Sequence, residues 1–174
     1  MTSLRSFDPI DLPALISLAQ RAWADVEESI DAVLGSPLDR LLTPSWAAHH
    51  EIVVRNECAS AQSSVVVAED AGGQIVGFVA FTVHPKTPGM SEYGEITLIA
   101  VDPLARRAGV GRRLLDHAVE QLEAAEAPVI MVSTGGDEGH APARSLYEAA
   151  GFRLLPIAQY WLVPQRTLDD NRAD

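Results

Sequence analysis

Arg106-Arg107-Ala108-Gly109-Val110-Gly111-Arg112-Arg113 is the stretch on which the fold turns. An apolar run, Ile96 to Val101, precedes it, and an amphipathic run, Val110 to Ala125, follows it. That order reads as strand, short loop, helix, with the glycines at the helix start. The first-turn N–H groups of a helix lack intrahelical partners and, with the helix dipole, form a ready anion site. Gly109 and Gly111 carry no Cβ, so a large anionic group can lie directly on the backbone. Four of the 13 basic residues fall between Arg106 and Arg113 in a chain of net charge -11. The local chemistry therefore points to a phosphate-bearing ligand. Taken alone, the same residues also fit a Gly-containing loop with a solvated basic rim. The spacing is neither that of a P-loop, which needs Gly-Lys-Ser/Thr, nor that of a dinucleotide fingerprint, which needs Gly-x-Gly-x-x-Gly.

Further out, Glu95-Ile-Thr-Leu-Ile-Ala-Val-Asp-Pro103 leads into the glycines, and Arg113-Leu-Leu-Asp-His-Ala-Val119 leads away from them. Beyond lies Ala143-Arg-Ser-Leu-Tyr147-Glu-Ala-Ala-Gly151-Phe152. In this order the blocks resemble the acetyl-CoA-binding core of the GNAT N-acetyltransferase family, clearly from Ser64 to Phe152. The resemblance implies an α/β fold, the GNAT acyl-CoA N-acyltransferase fold. Its mixed central sheet is splayed between the fourth and fifth strands, with helices on both faces. The strand ending at Val101 and the strand starting at Val129 part to admit a pantetheine arm. Acetyl-CoA is then the acyl donor. The backbone of Ile99, Ala100 and Val101 would bond the pantetheine amides. Arg106, Arg107, Ala108, Gly109, Val110, Gly111 and Arg112 would hold the pyrophosphate. Tyr147 matches the family's general acid. His140 stands where the family often has an Asn that touches the cofactor; it could take over that contact, carry a proton or cap the following helix. The family's frequent dimers imply a homodimer.

The bulk properties set outer limits. A chain of 174 residues fits one domain with a sizeable core. No run approaches the length needed to span a bilayer, and no apolar h-region follows Met1-Thr-Ser-Leu-Arg5. The single cysteine, Cys58, forms no intrachain disulfide, which fits a reducing compartment. A cytoplasmic protein is the expectation. The negative charge argues against nonspecific nucleic-acid binding and favours a cationic acceptor slightly. His49-His50 lacks the partner spacing of a metal site, so no metal is expected.

Along the chain, Asp8-Pro9-Ile-Asp11-Leu-Pro13 starts a helix, and an acidic helical segment runs from Trp23 to Leu34. Gly35-Ser-Pro37 breaks it, and Thr43-Pro44 starts a third helix with Thr43 as the N-cap. Ser64–Ala68 and Ile75–Val83 read as a hairpin around Asp70-Ala-Gly72-Gly73. Further strands are expected at Glu95–Val101 and Val129–Val132. A Gly-rich loop runs from Ser133 to His140, and Pro142 opens a helix that Gly151 ends. Phe152–Leu155 and Ala158–Val163 read as a final strand pair, with a polar tail from about residue 165.

Acetyl transfer from a thioester to an amine needs a base for the amine, donors for the oxyanion and an acid for the leaving thiolate. Glu95 is the candidate base. Strand alternation places it on one face with Thr97, Ile99 and Val101. Trp23, Glu27, Glu28 and His84 are the candidate acceptor residues. The reading is an acetyl-CoA-dependent N-acetyltransferase for a primary amine on a small molecule or peptide, by direct attack in a ternary complex. A noncatalytic acyl-CoA-binding module and an O-acyl or longer-acyl transferase remain open as alternatives.

Overall fold

In the computed structural model the described residues are 2–164. Strands β1 (Ser3–Ser6), β2 (Ser63–Glu69), β3 (Ile75–His84), β4 (Tyr93–Val101) and β5 (Ile130–Val132) form one sheet in that spatial order. The first three pairs are antiparallel and β4–β5 is parallel. Helices α1 (Leu12–Ala22), α2 (Ala24–Leu34), α3 (Ser36–Leu42) and α4 (Trp46–Ala59) come before β2. Helix α5 (Val110–Ala124) joins β4 to β5, and α6 (Ala141–Ala149) follows β5.

Period-two alternation in the strands divides the core into two layers. Val66, Ala68, Val79, Phe81 and Ile96 pack under Val110, Leu114, Leu115, Ala118 and Leu122 of α5 and Tyr147 of α6. Val67, Phe78 and Ala100 pack under Leu15, Leu18, Ala19 and Ala22 of α1 and Val54 of α4. The sheet thus has an α5/α6 face and an α1/α4 face.

One irregularity in β4 overturns the alternation read from sequence. Ala80 pairs with Leu98 but Phe81 pairs with Ile96, so Thr97 is an extra residue in β4. A β-bulge of this kind shifts side-chain phase by one. Ile96 lies on the α5/α6 face, yet Leu98 packs with the α1/α4 cluster, while Ile99 and Val101 return to the α5/α6 side. Glu95 and Thr97 therefore do not share a face with Ile99 and Val101. They share the α1/α4 face with Leu98 and Ala100.

The remaining differences lie at the ends of the chain. β1 was not expected, because Ser3-Leu-Arg-Ser6 has no strand composition. It is held by its register with Val66–Glu69 and by Arg5, whose guanidinium bonds Asp11 and Glu69. Gly35-Ser-Pro37 does end α2, but Pro37 also sits in the first turn of α3. Thr43 closes α3, and the N-cap of α4 is Ser45, whose Oγ accepts from Ala48 N–H at 3.2 Å. The final strand pair at Phe152–Leu155 and Ala158–Val163 is absent. Pro156 has no N–H for a ladder, and Leu155, Ile157, Tyr160 and Leu162 are three-quarters or more exposed. The tail from residue 165 lies outside the described residues.

Candidate active site

The parallel pairing of β4 with β5 covers only Gly94–Ile96 against Ile130–Val132. Among the described residues, Thr97–Val101 face no strand on that side. This is the expected splay between the fourth and fifth strands. Alternate residues of the free half, which contains Ile99, Ala100 and Val101, turn backbone N–H and C=O groups into the gap.

The start of α5 lies beside the end of that free edge. Gly109 is its N-cap in the left-handed region, φ 78°, and Arg107 just before it has φ 63°. The Gly109 side supplies no cap, and Arg113 N–H is the first to bond back, to Gly109 O at 3.1 Å. The amides of Val110, Gly111 and Arg112 are left to accept an anion. The two glycines have different roles. Nothing stands within 4 Å of a Cβ built on Gly109, so that residue is required by its positive φ. A Cβ on Gly111 would point into the protein, 3.5 Å from Val101 Cγ2 and 3.6 Å from Leu146 Cδ2. Both are ordinary van der Waals contacts, so the packing of α5 on β4 and α6 leaves room for a methyl at Gly111.

Most of the arginines around this loop bind the protein itself. Arg106 bonds Asp25 Oδ2 and Ala22 O, both at 2.7 Å. Arg112 bonds Asp116 at 2.7 Å and Ala149 O at 3.1 Å, and Arg113 bonds Thr2 O. Arg106 thereby ties the loop to the α1–α2 junction. Arg21 ties the same junction to Asp102 at the end of β4, at 2.6 Å. Burial alone would raise the Asp102 carboxyl, but Arg21 and the Leu104 N–H outweigh it and hold it below the usual range.

Tyr147 is buried on the α5/α6 face, where burial raises its phenol to about 12. It is therefore protonated at neutral pH, with an O–H available to donate. Its position is set by the end of α6. Gly151, φ 93°, lets Phe152 N–H bond Tyr147 O and Gly151 N–H bond Glu148 O, each at 3.0 Å. This is a Schellman closure, and its usual hydrophobic contact is the Tyr147–Phe152 ring pair, 6.0 Å between centroids.

On the opposite face, His84 Nε2–H donates to Glu95 Oε2 at 2.6 Å, and the His84 ring stacks on Tyr93 at 4.6 Å. Thr97, the bulge residue, donates to Glu57 Oε1 at 2.7 Å. The same oxygen accepts from Ser63 Oγ. Glu57 of α4 thus holds the bulge in place. Sequence reading missed Glu57, since only the tertiary packing of α4 on β4 reveals it.

The four acceptor residues fall into two groups. Trp23 packs edge-on to His50 and Phe78, and Glu27 Oε1 is 3.4 Å from His50 Nδ1. Glu28 is exposed on α2. His84 sits with Glu95, further along the sheet. His140 donates from Nδ1 to Asp137 Oδ1 at 2.6 Å and makes no side-chain cap to α6. Its loop is pinned to α2 by Gly139 N–H to Ser29 Oγ at 2.9 Å. Helix α2 therefore reaches the loop that follows β5. Among the described residues, no group of three or more His, Cys, Asp or Glu is arranged to hold a metal ion. Nor is any helix among them long and apolar enough to cross a membrane.

The sequence model of the acetyltransferase (GNAT) family matches residues 23–152, which include the free β4 edge, the start of α5 and Tyr147. The chain belongs to the GNAT acetyltransferase family. A mycothiol acetyltransferase from Acidothermus cellulolyticus is 30% identical over 161 residues, 86% of this chain and 44% of the relative. Another, from Pseudarthrobacter chlorophenolicus, is 33% identical over 87 residues, 50% of this chain and 26% of the relative. This GNAT chain thus spans less than half the length of these relatives. Among solved structures, it is similar to an aminoglycoside 6'-N-acetyltransferase from Acinetobacter haemolyticus, with TM-score 0.65 and 14% identity over 93% of this chain and 98% of that one. An aminoglycoside N-acetyltransferase in complex with CoA gives TM-score 0.64 and 16% identity over 94% and 95% of the two chains. These likenesses show the GNAT fold.

Proposed function

We propose that this domain transfers an acetyl group from acetyl-CoA to a primary amine of a small molecule or peptide, by direct attack in a ternary complex. The observation that supports the reading is that the two candidate catalytic groups lie on opposite faces of the sheet, with Glu95 in the last paired stretch of β4, two residues before its free half begins. Glu95, hydrogen-bonded to His84, is on the α1/α4 face, and Tyr147 is on the α5/α6 face.

The free backbone of Ile99, Ala100 and Val101 is suited to the pantetheine amides. The amides of Val110, Gly111 and Arg112, with Arg107, are suited to the pyrophosphate. The amine must lose a proton to attack. Glu95 takes it, directly or through a water, while His84 fixes the carboxylate's direction. The amine nitrogen bonds the carbonyl carbon, the tetrahedral intermediate gives up the second nitrogen proton to solvent and collapses, and the C–S bond breaks. The departing thiolate takes the Tyr147 hydroxyl proton, which solvent restores. Trp23, Glu27 and Glu28 of the α1–α2 region are the acceptor-side candidates, and His140, in the loop after β5, is the remaining cofactor candidate. The acetyltransferase names of the relatives support acetyl over longer acyl groups.

The test is release of free thiol from acetyl-CoA with a panel of amines and alcohols, for the parent and Glu95→Gln. Amine-dependent thiol release that Glu95→Gln suppresses supports the reading. Tight CoA binding with no turnover on any amine would leave the noncatalytic module in its place.

A further inference from the structure

A second polar centre lies apart from Glu95, where α1, α2, α3 and α4 meet. It is built from Trp23, Glu27, Asp39, Trp46 and His50. His50 is 4% exposed and Asp39 6%. The His50 ring lies 5.0 Å from Trp23 and 5.7 Å from Trp46. Asp39 Oδ2 accepts from Trp46 Nε1–H at 3.2 Å, but Asp39 Oδ1 and His50 Nδ1, both buried, have no hydrogen-bond partner. Glu27 Oε1 stands 3.4 Å from that His50 nitrogen.

The charges in this centre do not balance. Asp11, Asp25 and Asp102 each pair with an arginine. Among the described residues no Lys or Arg pairs with Glu27 or Asp39. Burial, Asp39 and Glu28 together raise the Glu27 carboxyl. Burial, and then His49, lowers His50 to about 4, so its ring is neutral at pH 7 and offsets neither acid. Two acids, two indoles and an orphaned buried carboxylate oxygen suit one kind of occupant. An alkylammonium group can donate to Asp39 and Glu27 and lie against the indole faces. An anion is repelled, and a neutral group leaves the charge uncompensated. Trp23, Glu27 and Trp46 are half-buried, so the rim of the centre meets solvent while Asp39 Oδ1 and His50 Nδ1 are closed off behind it.

This ammonium is not the reacting amine. Trp23 rests on Phe78, which pairs with Ala100, whereas Glu95 pairs with Thr82. The strand residues from Phe78 to Thr82 span roughly 13 Å. We propose that the Trp23–Glu27–Asp39–Trp46–His50 centre binds a second protonated amino group of the acceptor, which makes the substrate a polycationic amine. The proposal rests on the amine-acetylating reading above.

The test is equilibrium binding at low salt without acetyl-CoA, by calorimetry and tryptophan fluorescence, comparing spermidine with butylamine. Spermidine is expected to bind about tenfold more tightly or better, the range of one charged hydrogen bond. Asp39→Asn keeps an acceptor for Trp46 and is expected to erase that preference; Glu27→Gln reports the same if Asp39→Asn does not fold. Equal affinity for the two amines, or a preference that survives both substitutions, overturns the proposal. No turnover is needed, so the two readings fail separately. Acetylation of butylamine without any binding preference keeps the enzyme and removes the second site.

Discussion

Substituting alanine at the two glycines that open α5 should shift stability in opposite directions. At Gly111 the backbone is helical, and a Cβ would make ordinary contacts of 3.5 and 3.6 Å with Val101 and Leu146. Gly111→Ala should gain about 0.5–1 kcal/mol of helix stability. For a domain of this size that is a rise in Tm of about 1–4 °C. At Gly109 the space is open but φ is 78°. Gly109→Ala should lose about 1–2 kcal/mol to left-handed strain, a fall of about 2–8 °C. CoA binding should separate the pair again. A methyl at Gly111 faces protein and leaves the first-turn amides uncovered, so affinity should stay within about threefold, under 1 kcal/mol. Relaxation at Gly109 re-aims those amides, and affinity should fall by about tenfold or more. Differential scanning calorimetry and CoA titration check both. A Gly111→Ala protein that melts below its parent refutes the packing argument. Loss of CoA binding in that variant without loss of stability places the ligand on Gly111 itself.

Glu95→Gln should lower kcat by about 10²–10³-fold with KM for acetyl-CoA little changed, since only proton acceptance is lost. A drop below about tenfold in thiol-release rates would assign the proton to a water chain instead. Tyr147→Phe should leave Tm within about 2 °C, because no hydrogen bond to the hydroxyl is formed among the described residues, while kcat falls by about tenfold or more. His50 makes the fold acid-sensitive in a defined window. Its folded pKa of about 4 lies below the usual 6.5, so its contribution is complete above pH 6.5 and is lost as pH falls toward 4. That loss amounts to about 3 kcal/mol. The raised Glu27 carboxyl acts in the opposite sense, losing stability as pH rises through its folded value. Urea midpoints between pH 7 and 4 should fall more steeply for the parent than for His50→Gln; parallel slopes would refute this.

What was legible in the sequence was local. The α5 start could be read because glycine conformation, helix amides and arginine charge all lie within one short segment. The Gly151 helix end could be read for the same reason, whereas Tyr147 was singled out by resemblance to the family's motif. The bulge at Thr97 could not, since threonine fits a strand in either phase and only pairing with β3 shows the extra residue. Glu57, Asp39 and His50 carry no spacing signal, and their meaning comes from contacts across helices. The residues from Phe152 to Val163 have the alternation of strands, but alternation names no partner, and β5 offers an edge of just three residues.

The free edge of β4 carries a hazard as well as a binding capacity. A strand whose backbone is open on one side accepts any extended chain, including that of a neighbouring molecule. The two amides of a pantetheine arm can occupy the same positions that such a chain would use. Acyl-CoA in the gap would then act as a solubility factor. Protein purified free of it should self-associate faster on warming than its thermal stability alone predicts, and free CoA should slow that aggregation even without an acceptor present.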